Sequence, residues 1–173
     1  MTATPDDLFE KFDELGIAYK TYRHDPVFTV EEAQTLAGDM PGGHCKNLFL
    51  KDKTGDLYLL VCLQETKVNL KAFRKSVGAK NLSFGKPELL LEILGVTPGS
   101  VTPFSLINDT DLKVRVVLEQ RMMEMNMLNY HPLINSMTTL LSSKDLGRFI
   151  AACGHTPTIV DLSATEDSCS PSP

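Results

Sequence analysis

Lys46 is the side chain of this 173-residue chain that first suggests chemistry. It opens the apolar run 46–50 just after the Gly42-Gly43 pair, so a strand would carry its ammonium at a fixed end of a sheet. A cation held there can bind a phosphate or polarise a carbonyl, although a lysine at a strand end also serves solubility. Cys45 beside it invites a nucleophile reading, because an adjacent cation lowers a thiol pKa. Successive strand residues face opposite ways, however, so Cys45 reads as a small packing residue. His131, biased toward extended backbone by Pro132, has Asn135 four residues on and could position substrate or water. His24, ahead of Asp25-Pro26, has similar scope; both histidines also fit ordinary loop or core positions. The stretch Gly95-Val96-Thr97-Pro98-Gly99-Ser100-Val101-Thr102-Pro103 is a rigid turn. Its N–H groups could face a developing oxyanion, or it could simply join a helix to a strand.

Other chemistries find little support. The four histidines and four cysteines have no metal-ligand spacing, and Cys45, Cys62, Cys153 and Cys169 read as unpaired thiols, so neither a metal nor a disulfide framework is expected. No G-x-G-x-x-G or Walker-type loop occurs. No run approaches the ~18 apolar residues of a membrane span, and residues 1–7 lack the order of a secretion signal, so a cytoplasmic protein without a membrane partner is expected.

The elements that must position these residues are short and irregularly mixed. Helices are expected at 5–15, from 29 to about 38, at 69–77, 87–94 and from 142 to about 154, with Thr4, Thr29, Asn69 and Ser142 near their starts and glycines near their ends. Strands are expected at 17–23, 46–52, 57–63, 81–84, 104–107, 114–118 and 158–162, the second and third forming a hairpin. The methionine-rich stretch 122–127 reads as core lining, and 130–135 as a strand end or loop. Together these give one α+β domain over 1–162, a mixed, mainly antiparallel sheet with flanking short helices. Residues 163–173, rich in Ser, Pro and acids, read as a disordered tail.

The formal net charge of −5 argues against a salt-driven grip on long nucleic acid, DNA included. Its distribution is uneven: residues 44–86 hold nine basic and three acidic residues, a local +6 against −11 elsewhere. Such segregation suits one face to an anion, since local field and not net charge steers a ligand.

Four segments in order resemble one family, the YbaK-like aminoacyl-tRNA deacylases, related to the editing domain of bacterial prolyl-tRNA synthetases. They are 28–32 (FTVEE), 43–52 (GHCKNLFLKD), 95–104 (GVTPGSVTPF) with Asn108-Asp109, and His131-Pro132-Leu133 with Asn135. Asn47 after the lysine is similar to the freestanding prolyl-tRNA editing proteins that hydrolyse Ala-tRNA(Pro). The resemblance implies a mixed sheet with flanking helices, no metal or cofactor, and an essential lysine at Lys46. Gly99 and Ser100 then lie in the oxyanion loop, and His24, Asn47, His131 and Asn135 at the substrate. Pro26, Phe28, Val101 and Pro103 are candidates for a wall excluding proline. Lys67, Lys71, Arg74, Lys75 and Lys80 are candidates to meet the tRNA acceptor end. Prolyl-tRNA synthetase is a possible transient partner. Alternatives are the same hydrolysis on Cys- or Ser-tRNA, or a non-catalytic tRNA- or synthetase-binding module.

Overall fold

In the computed structural model, residues 2–26 and 40–162 are described. Helix α1 (Pro5–Leu15) is closed at its start by a reciprocal cap: Asp7 N–H donates to Thr4 Oγ1 and Thr4 N–H donates to the Asp7 carboxylate. Gly16 ends it at φ 69°, in the left-handed region. Helix α2 (Leu70–Val77) starts where Asn69 accepts the Lys71 and Ala72 N–H groups. Helix α3 (Pro87–Leu94) opens on a proline, α4 (Gln120–Met123) is one turn, and α5 (Ser143–Ala152) begins where Ser142 accepts the Asp145 N–H.

The strands are β1 (Tyr19–Arg23), β2 (Gly43–Lys51), β3 (Leu57–Leu63), β4 (Ser83–Phe84), β5 (Val114–Glu119), β6 (Met127–Tyr130), β7 (Met137–Ser142) and β8 (Thr158–Val160). They form one mixed sheet in the order β1-β7-β6-β2-β3-β5-β8, with β4 added to β2. The pairs β1/β7, β7/β6, β2/β3 and β2/β4 are antiparallel; β2/β6, β3/β5 and β5/β8 are parallel. All seven residues of β3 are buried because apolar layers cover both its faces. The larger layer gathers Leu8 and Phe12 of α1, Leu90 and Leu94 of α3, and Leu146, Phe149 and Ile150 of α5. Within it Phe104 meets Phe12, Phe149 and Tyr130 edge to face, with centroids 5.1–5.6 Å apart. The smaller layer joins Phe73 of α2 to Leu50, Tyr58, Leu60, Cys62 and Val117.

Three expectations change. Residues 104–107 form no strand; Pro103–Asn108 is a 3-10 turn, started by Pro103 and by Thr102 Oγ1 accepting the Phe104 N–H. The methionine segment is only partly core: Met122 is fully buried, whereas Met125 and Met127 are exposed, because the chain turns there and enters an edge of β6. Strand β7, which supplies the central partner of β1 and β6, was not among the expected strands. The helix expected at 29–38 and the tail at 163–173 lie outside the described residues. Among those described, no helix is long and apolar enough to cross a membrane.

Candidate active site

The alternation of β2 sorts the candidates. Cys45 and Phe49 pack toward the larger core, while Leu48 and Leu50 pack toward the smaller one. Lys46, paired with Cys62, therefore stands on the α2 side of the sheet, and Cys45 and Asn47 on the other. Cys45 is enclosed beside Tyr130, and burial pushes its thiol up to about 12. It stays a protonated packing residue, as the alternation of a strand requires.

Lys46 is half-buried, and its Nζ donates to the carbonyl oxygen of Thr66 at 2.5 Å. That carbonyl is fixed from behind. Thr66 Oγ1 donates to the Glu119 carboxylate, with oxygens at 2.8 and 3.0 Å, and accepts from Arg121 Nη2 at 2.9 Å. Glu119, 2% exposed, also accepts the Leu63 N–H at 2.9 Å. The anchor of the lysine thus comes from the turn after β3 and from β5. Sequence inspection missed it, although a glutamate ending the apolar run 114–118 signals a buried carboxylate with a partner.

The edge of β2 opposite β3 is covered in two places. Strand β6 pairs with Gly43 and His44, and β4 with Leu50 and Lys51, where the Gly85 N–H also donates to the Phe49 carbonyl. Along 45–48 no strand pairs on that edge among the described residues. Gly42 and Gly43 let β2 enter here: Gly42 has φ 88°, and a Cβ on Gly43 would lie 2.7 Å from Met125 Sδ. In this stretch Asn47 Oδ1 is buried with no hydrogen-bond partner among the described residues. An enclosed acceptor of that kind calls for a donor.

His131 follows directly from β6. Carrying the parallel register Gly43↔Leu128, His44↔Asn129 forward sets Cys45 abreast of Tyr130, which it contacts, and Lys46 abreast of His131. His131 Nδ1 bonds the Met137 carbonyl at 2.9 Å, and burial lowers its pKa, with the nearby His24 ring adding to the effect. His24 lies 6.2 Å from it, ring to ring, with Nε2 on Thr138 Oγ1 at 2.7 Å. Two histidines distant in sequence therefore stand together. Asn135 sits half-buried in the turn between β6 and β7.

The remaining candidates are more dispersed. In the Pro98–Ser100 turn, Gly99 is exposed, but the Ser100 side chain is buried and its N–H donates to the Thr97 carbonyl at 2.9 Å. Ser100 is thus a poor oxyanion donor, its N–H being closed into the turn. Val101 packs on the larger core and Pro103 is buried within it, whereas Pro26 is exposed past the end of β1. Pro103 offers little surface for a wall because it starts a buried turn. Phe28 lies outside the described residues. Lys67, Lys71, Lys75 and Lys80 are exposed; Arg74 is half-buried and bound to Asn81 Oδ1 at 2.8 Å. Helix α2 lies over the smaller core and so shares a side of the sheet with Lys46.

A mixed sheet whose strand β2 is unpaired along 45–48 among the described residues, with a tethered lysine in that stretch and two neighbouring histidines, defines a small α+β domain. The profile of the aminoacyl-tRNA editing domain matches residues 24–149, and this chain belongs to that family. It is 36% identical over 153 residues to the prolyl-tRNA editing protein ProX of Acetoanaerobium sticklandii, covering 88% of this chain and 93% of that one. It is 37% identical over 161 residues to the mouse prolyl-tRNA synthetase associated domain-containing protein 1, covering 90% and 95%. The crystal structure of a candidate trans-editing enzyme for prolyl-tRNA synthetase superposes with a TM-score of 0.67 at 18% identity, over 94% of this chain and 98% of that one, which supports the fold.

Proposed function

We propose that this chain is a trans-acting editing hydrolase that clears alanine from Ala-tRNA(Pro). The observation that carries the reading is the Lys46 ammonium, tethered to the Thr66 carbonyl in the stretch of β2 between the β6 and β4 pairings that no described strand covers. An ammonium has three N–H donors, so two remain for the phosphate or ribose of a 3′-terminal nucleotide. A ligand along that edge meets Lys46 and His131 on one face and the half-buried Asn47 on the other; Asn47 Oδ1, enclosed and without a partner among the described residues, suits the α-ammonium of an aminoacyl ester once its side chain turns toward the edge. Water adds to the ester carbonyl, the bond to the ribose oxygen breaks, that oxygen takes a proton, and free alanine and tRNA leave. Gly99 or Val101 N–H, rather than Ser100 N–H, is the backbone donor for the tetrahedral oxyanion. No cofactor is required. The work belongs in the cytoplasm, beside prolyl-tRNA synthetase as a transient partner.

A second site helps because a synthetase pocket gains only ~1–3 kcal/mol against a substrate smaller by one methylene. The test is a panel of Ala-, Cys-, Ser- and Pro-tRNA given to purified protein. Ala-tRNA(Pro) should be deacylated and Pro-tRNA(Pro) spared, and Lys46→Ala should lower the rate on the order of 10²–10³-fold, the scale of a lost transition-state donor. Unchanged turnover in that variant rejects the mechanism, and preference for Cys- or Ser-tRNA reassigns the substrate. The mammalian relative's name favours one other reading, a binding module on the synthetase or tRNA. It would bind without hydrolysis and weaken on charge reversal at Lys71 and Lys75.

A further inference from the structure

Strand β4 is two residues long and sets Phe84 opposite Leu50 at the far end of the opening in β2. Residues directly opposed on neighbouring strands share a face, so the Phe84 ring stands on the side of Leu50, Leu48 and Lys46. Leu50 is wholly buried there, while Phe84 is 63% exposed, the most exposed of the large apolar side chains described. Solitary exposed rings are common, so the exposure acquires meaning only from its setting.

That setting is polar and cationic. Lys80 and Lys86 are exposed on either side of Phe84 in the chain, and Arg74 of α2 is held on Asn81. Backbone bonds hold the segment without help from the ring: Gly85 N–H to the Phe49 carbonyl at 2.9 Å and Lys53 N–H to the Lys80 carbonyl at 2.7 Å. Lys46 and Leu50 are four residues apart on β2, ~13 Å at ~3.3 Å per residue, so ring and ammonium are separated by a few nucleotides of single strand. Cations along a groove with an aromatic platform are how proteins hold single-stranded nucleic acid, since every base has a face to stack. A protein partner would be better matched by apolar neighbours than by these lysines.

We propose that Phe84 is a stacking platform for a base in the single-stranded 3′ end of the tRNA. This rests on the editing reading above and adds to it the residue that grips the acceptor end.

The chain contains no tryptophan, so Phe84→Trp introduces a single reporter at the site. Titrating the full-length Phe84→Trp protein with an oligoribonucleotide of the acceptor 3′ end, and with uncharged tRNA(Pro), should give saturable fluorescence quenching. A blunt-ended acceptor duplex lacking the overhang should give none. Phe84→Ala should raise KM for Ala-tRNA(Pro) roughly tenfold, as loss of one stacked base implies, with kcat and Tm unchanged, and Phe84→Tyr should restore KM. The proposal is overturned by an unchanged KM in Phe84→Ala, by equal quenching with the blunt duplex, or by quenching with the synthetase but not with RNA. A wild-type protein that hydrolyses none of the charged tRNAs would reject the editing reading separately, and the oligonucleotide titration would still decide whether Phe84 stacks.

Discussion

The 95–109 segment and strand β2 are equally conspicuous in sequence, yet they use their polar groups in opposite ways. In the first, nearly every such group is turned inward. Ser105 Oγ bonds the Thr102 carbonyl, Asn108 Nδ2 the Leu94 carbonyl, and Asn108 Oδ1 accepts the Ala3 N–H from the other end of the chain. Asp109 accepts the Lys113 and Val114 N–H groups and faces His155 at 3.3 Å, both side chains being buried. In β2, by contrast, Asn47 Oδ1 has no partner among the described residues and Lys46 is bound through one carbonyl. Polar residues that are fully satisfied hold a fold together; those left with spare capacity are available to a ligand.

Substitution should separate the two regions. Lys46→Ala should lower the rate on the order of 10²–10³-fold while lowering Tm by only about 2–4 °C, since the single hydrogen bond to the Thr66 carbonyl is what the fold loses. Asp109→Ala should do the reverse: the buried Val114 N–H loses its acceptor, and the more accessible Lys113 N–H with it, which costs about 1–3 kcal/mol and lowers Tm by roughly 5–10 °C, with kcat of the folded protein retained. Calorimetry and steady-state deacylation together read both; a large loss of kcat in Asp109→Ala would erase the distinction.

A smaller effect tests what holds the lysine. Thr66→Val keeps the carbonyl that Lys46 uses but removes the hydroxyl tying it to Glu119 and Arg121. A drop in kcat on the order of tenfold with little change in KM, restored by Thr66→Ser, is expected if orientation of the ammonium matters. His131 gives a pH signature. Its pKa is lowered in the folded protein, chiefly by burial, so the native state binds fewer protons than the unfolded chain once pH drops below the ordinary histidine value. Its contribution to stability is complete above about pH 6.5 and is lost as pH falls through the depressed folded value. Thermal melts across pH 4–8 should therefore show a steeper acid loss in wild type than in His131→Gln. The smallest effect belongs to Cys45: with its thiol near 12, it should resist alkylation at neutral pH, and Cys45→Ser should change kcat less than about twofold.

Local rules made much of the fold legible. Thr4, Asn69 and Ser142 begin helices and Gly16, Gly78 and Gly95 end them because caps and left-handed glycines depend only on neighbours in the chain. The 2–3 hairpin and the opposed directions of Cys45 and Lys46 follow from the same local periodicity. The segment 104–107 was misleading because its apolar run is preceded by Thr102 and Pro103, whose turn geometry outweighs strand propensity. Strand β7 was missed because its Thr-Thr-Leu-Leu pattern, buried at five of six positions, has no alternation to expose it.

The sequence by itself determined that one lysine opens a strand, that basic residues gather in 44–86, and that the chain resembles an editing domain; these depend on residue type and order alone. Only the tertiary structure decided how these residues are arranged. The stretch 45–48 that no described strand pairs between β6 and β4, the Thr66–Glu119 anchor of Lys46, the meeting of His24 with His131 and the exposed ring of Phe84 each depend on segments distant in the chain. Pairing register and burial create them, and neither can be read from neighbours in sequence.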